Sequence, residues 1–156
     1  PNRNTVIRFL AISSLLIFFL PFFQMCSDKN IRENHFLKSY SNAKSEKEKE
    51  IAFEKSKKDF SLSGYELAIS FEPEFLSFTA IMFLNFTICI SVLRNHKQLL
   101  LLSFLNLVII LFSFFLLLFT LPHFGQIRYG MYLCVVNALL LFYFIYKEQE
   151  TAFTKN

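Results

Sequence analysis

Tryptophan is absent from the 156 residues, glycine occurs only 3 times and proline 4. The chain has no Gly-rich loop that could cradle a phosphate, and no Ser elbow or CxxC motif. Three cysteines are an odd number without paired spacing, so neither a disulfide framework nor a zinc motif can be read from them. Cys26, Cys89 and Cys134 read first as small apolar fillers. A Cys26–Cys134 bond on an oxidising side stays open, although the depth of Cys134 disfavours it. Charge is missing from long stretches. Residues 75–93, 99–121 and 129–146 contain no Lys, Arg, Asp or Glu, and all twelve acids lie in residues 24–74 or the C-terminal tail. Proton-coupled transport normally uses a carboxylate inside a span, and this distribution argues strongly against a proton-driven exporter.

What is present in abundance is apolar. Hydrophobic residues make up 54% of the chain and Phe alone contributes 22. A soluble domain of this size could not bury so much apolar surface, whereas a bilayer solvates it. A helix needs about 20 residues to cross roughly 30 Å of hydrocarbon. Residues 75–93, 99–121 and 129–146 meet that length, and so does 5–23, where Arg8 is the one interruption. The expected fold is all-α, an integral membrane four-helix bundle. The first helix falls within 1–23, a long and partly helical extracytoplasmic loop occupies 24–74, and helix 2 with its link occupies 75–98. Helix 3 with its link follows at 99–128, and helix 4 with the tail at 129–156. The first stretch also has the early basic region and apolar core of a signal peptide, but no small-x-small cleavage site follows it.

Orientation is read from the short flanks. Arg3, Arg8, Arg94, Lys97, Lys147 and Lys155 fall on one side of a four-span arrangement, and Arg128 alone on the other. The positive-inside rule then places both termini in the cytoplasm of a bacterial inner membrane. Tyr129 and Tyr132 would mark the outer interface, with Tyr143 and Tyr146 at the inner one.

The loop 24–74 carries nine Lys/Arg and ten Asp/Glu. Residues 41–60 read as helix, opened by the capping box Ser45-x-x-Glu48 and supported by opposite charges at i,i+4 (Lys44–Glu48, Glu54–Lys58, Lys55–Asp59). Its apolar face is thin, with Ile51, Phe53 and Phe60 as the contact candidates. It is either a solvated helix or a partner-binding one. Gly64 would permit a turn, and Pro73 suits a first helical turn at the membrane entry. Gly64, Tyr65, Leu67 and Phe71 are expected on the loop surface beside the outer leaflet.

Leu20-Pro21-Phe22-Phe23 followed by Cys26, and later Ser63-Gly64-Tyr65-Glu66-Leu67-Ala68, resembles a pattern of small bacterial four-span proteins. In those, the first span ends in Leu-Pro-aromatic, a Cys follows, and Ser-Gly-x-x-Leu-Ala precedes the second span. The size and span count also resemble the four-helix accessory membrane proteins of RNA-targeting CRISPR loci. These resemblances imply a four-span fold and an accessory role, and no particular chemistry.

His35, His96 and His123 do not cluster, and Arg94-Asn95-His96 lacks the helical turn that a catalytic Arg/His pair needs. No catalytic, cofactor or metal site is expected. One pattern does stand out. Asn85, Asn106 and Asn137 each lie eight to ten residues from the same edge, roughly 12–15 Å deep at 1.5 Å per residue. Ser13 and Ser14 fall at similar depth. Amides in hydrocarbon need partners, so these five residues should form an intramembrane polar layer. That layer either ties helices together or lines an assembled pore. Small-xxx-small faces are lacking, so close backbone contact is not expected. The expected role is a non-catalytic subunit or accessory component of a membrane assembly. Its partners would be the lipid bilayer and either further copies or a membrane protein held through the 24–74 loop, with no nucleic acid. A pore-forming or membrane-disrupting effector is the alternative, and a membrane enzyme ranks lowest.

Overall fold

The computed structural model of the chain describes residues 3–25, 45–70, 73–94, 98–120 and 126–153. Its elements in order are α1 (Arg3–Ile17), β1 (Pro21–Gln24), α2 (Glu46–Asp59), β2 (Ser61–Ser63) and α3 (Gly64–Ile69). A 3-10 turn (Pro73–Phe75) then leads into α4 (Leu76–Arg94), α5 (Leu99–Thr120) and α6 (Tyr129–Phe153). Pro73 opens that turn, where its missing N–H costs nothing. The three last helices are long and apolar enough to cross a membrane. Their outward surface supports the same conclusion. Only 28% of the α5 stretch is buried, and Phe119 is 86% exposed. Water would penalise such a surface, while lipid does not. The bounds of α4 and α5 agree with the apolar stretches, whereas α6 runs beyond residue 146 into the tail.

α1 departs from expectation. It was expected to continue through residue 23 but stops at Ile17 after 15 residues. The last turn tightens, with Phe19 N donating to Leu16 O (3.1 Å) and Leu20 N to Ile17 O (2.9 Å). Pro21 then prevents continuation, because it has no N–H to donate and pushes Leu20 toward extended backbone. The chain becomes β1. Pro21 takes the first strand position, where a missing donor is tolerated.

β1 lies between two partners. It pairs antiparallel with β2 through Pro21–Ser63, Phe23–Leu62 and Gln24–Ser61, and the register shift makes Phe22 the extra residue of a bulge. On its other side Phe23 bridges Ile127, and Arg128 N donates to Phe22 O (2.9 Å). The link between α5 and α6 is thereby tied to the end of α1.

α1 packs against α4 and α6, α4 against α5, and α5 against α6. The interior divides into two apolar clusters. One, toward the strand-capped end, joins Phe18, Phe22, Leu67, Phe78, Ile110 and Met131, among others. The second joins Ile7, Leu10, Ala11, Ile88, Leu141 and Ile145. Phe18 and Phe22 meet edge-on at 5.2 Å between centroids, and Phe22 meets Phe78 at 6.1 Å. These rings fill the space that opens where α1 ends early.

One close backbone approach runs against the expectation of none. A Cβ at Gly130 would lie 2.6 Å from Pro21 O and 2.8 Å from Phe22 Cδ1. Only glycine lets the first turn of α6 lie this near β1. Gly130→Ala should therefore lower stability by about 1–3 kcal/mol, the usual cost of overpacking. Thermal unfolding in detergent checks this, and an unaltered melt would contradict the contact.

Candidate functional site

The five mid-depth polar residues do not share one hydrogen-bond network. Asn106 Nδ2 donates to Asn85 Oδ1 at 2.9 Å, joining α5 to α4, and both residues are buried. Asn137 Nδ2 donates to Leu10 O at 3.1 Å, joining α6 to α1. Ser14 is buried, but its hydroxyl donates to Ala11 O (2.7 Å) within its own helix. Ser13 is half-buried. Each Asn contact thus ties a neighbouring pair of helices. The Asn85–Asn106 contact is incomplete, since Asn85 Nδ2 and Asn106 Oδ1 find no further hydrogen-bond partner.

The second polar region is the strand-capped end. α3 is sewn to its neighbours through backbone groups that helix ends leave unsatisfied. Tyr65 N donates to Phe18 O (3.2 Å), and Tyr65 Oη donates to Leu15 O (3.4 Å). Burial pushes the Tyr65 phenol above its ordinary pKa, so it stays a donor. Thr79 Oγ1 donates to Ala68 O at 2.6 Å, binding α4 to the end of α3. Of the residues expected on the loop surface, Gly64 and Leu67 are buried. Leu67 is an apolar residue facing the core on a six-residue helix, and the core claims it. Tyr65 is half-buried against Phe18 and Phe19, and Phe71 lies outside the described residues. Gly64 is needed for space and not for a left-handed turn, because a Cβ there would meet Phe18 at 3.0 Å.

The Ser45–Glu48 capping box forms as expected, with Glu48 N donating to Ser45 Oγ (3.2 Å) and Ser45 N to Glu48 Oε2 (3.3 Å). A second box at Ser63–Glu66 opens α3. Its S-x-x-E signature is equally present in the sequence. Gln24 and Gln126 are buried polar residues that sequence reasoning passed over. Gln126 Nε2 donates to Met25 O at 3.2 Å, which holds the α5–α6 link to the end of β1. Nothing in the local sequence announces the Gln126 contact, because its partner lies about a hundred residues away.

Cys134 is a free thiol buried in the first apolar cluster, and Cys89 is free and half-buried. Cys26 and all three His lie outside the described residues. Among the described residues no three of His, Cys, Asp or Glu come together as a metal site would need.

No protein-family model matches the chain, and no curated protein or solved structure matches it either.

The Asn85–Asn106 geometry yields a sharp expectation. Asn106→Leu strands the Asn85 amide in an apolar interior and should cost about 1–2 kcal/mol. Asn85→Leu with Asn106→Leu removes the stranded groups as well and should recover much of that loss. A double-mutant cycle on detergent melting temperatures measures it. Simple additivity of the two losses would exclude the pairing.

Proposed function

We propose that this chain is a non-catalytic component of a bacterial inner-membrane assembly. In this reading α1 is a fourth span, the four helices form a bundle, and both termini are cytoplasmic. The charge bias of the short flanks supports that orientation, with six basic residues on one side and one on the other. β1, β2, α2 and α3 then lie on the outer face.

The observation that carries the reading is α2. It is a 14-residue helix dense in Lys and Glu, with acids in its first turn and lysines in its last. That arrangement suits the helix dipole. Phe53 is its buried anchor, while Ile51 is 70% exposed among charged neighbours. A charged helix held at one end of a membrane protein, with an apolar residue outward, suits recognition of another protein. The effector alternative depends on amides facing a water-filled channel. Within this chain the Asn side chains are turned to a neighbouring helix, so the assembly reading is the better supported one.

Glu50→Lys combined with Ile51→Glu changes exposed side chains only. The variant should melt like the wild type yet lose the polypeptides that co-purify from the host membrane. Undiminished recovery of the same partners would sink the reading.

A further inference from the structure

A cleft of about 960 Å³ lies between α2 and the strand-capped end of the packed helices. Its size is within the range of small-molecule sites. One wall carries Lys55, Lys57 and Lys58 from the last turns of α2, and Arg128 stands at the start of α6. The carboxylates among the described lining residues are Glu54 and Glu66. Glu66 is engaged in its capping box, where Oε2 accepts from Ser63 N (2.7 Å) and Ser63 Oγ (2.8 Å). Among the described lining residues four cations stand against two carboxylates, and Lys57 is held over the Phe53 ring (5.5 Å), which leaves Lys55 and Lys58 as the basic edge of this wall.

Ser61 and Ser63 add neutral polar groups to the lining. Phe19, Pro21 and Tyr129 give it an apolar side. Phe19 follows the end of α1 and Tyr129 is the first residue of α6, and both rings are more than half exposed. They stand where the apolar helices end, the level at which hydrocarbon gives way to headgroups. A positive wall joined to an apolar side at that level matches an amphiphile with an anionic head.

We propose that this cleft binds an anionic phospholipid, with its phosphate among Lys55, Lys58 and Arg128 and the upper part of its acyl chains against Phe19 and Tyr129. A soluble phosphate would use the cations but leave the aromatic side without a role. The site requires that the apolar helices lie in a bilayer, in either orientation, and is independent of the assembly role.

The test is thermal unfolding of the full chain in an uncharged detergent, with phosphatidylglycerol, phosphatidylcholine or inorganic phosphate added. Phosphatidylglycerol should raise the melting temperature, and the other two should leave it near its starting value. Lys55→Gln with Lys58→Gln should remove most of that shift while lowering the lipid-free melt only slightly, by the loss of two exposed i,i+4 pairs. Lys47→Gln with Lys147→Gln, an equal loss of charge away from the cleft, should retain it. An equal shift with phosphatidylcholine, an equal shift with inorganic phosphate, or an equal loss in the control pair would each overturn the assignment.

Discussion

Everything at the capped end depends on satisfying the backbone of Pro21–Gln24. A chain leaving a helix inside an apolar setting exposes N–H and C=O groups that neither lipid nor a hydrocarbon core can hydrogen-bond. β1 meets that demand on both edges, with β2 on one side and residues 126–128 on the other. The consequences reach both along the chain and across it. Phe18 and Phe22 are carried inward to fill the core, α3 is drawn over the end of α1, and α6 must carry a glycine in its first turn beside Pro21.

Lower in the structure the problem is different. In lipid there is no hydrophobic force drawing apolar helices together, so packing and buried polar contacts carry the association. The two apolar clusters supply the packing. The Asn85–Asn106 and Asn137–Leu10 contacts supply direction, because each amide has one partner helix to meet. Leu and Phe along α5 could satisfy many rotations of that helix about its axis, whereas Asn106 selects the one that faces α4.

The charged helix and the apolar helices meet without merging. α2 contributes Phe53 to the buried set and leaves Lys47, Lys55, Lys58 and its glutamates to solvent. Because it rises next to exposed aromatic rings, a polar and an apolar surface share one cleft. This juxtaposition arises from the short connection through β2 and α3, which returns the loop to the level of the helix ends.

Local pattern by itself determined the long apolar helices, the charged helix with its Ser45–Glu48 cap, and the need for Asn85, Asn106 and Asn137 to find partners. Those features follow from hydropathy over a window, or from contacts three or four residues apart, and a linear reading captures both. The early end of α1 was half legible, since Pro21 announces a break but not what the chain does next. Only the tertiary structure decided that Pro21–Gln24 becomes a strand, that Gly64 and Leu67 turn inward, and that the amides divide between two helix pairs. Each of those outcomes depends on a partner far along the chain, such as Ile127 for Phe23, Leu10 for Asn137 or Pro21 for Gly130. Sequence spacing specifies which groups need a partner, and three-dimensional packing specifies which partner is within reach.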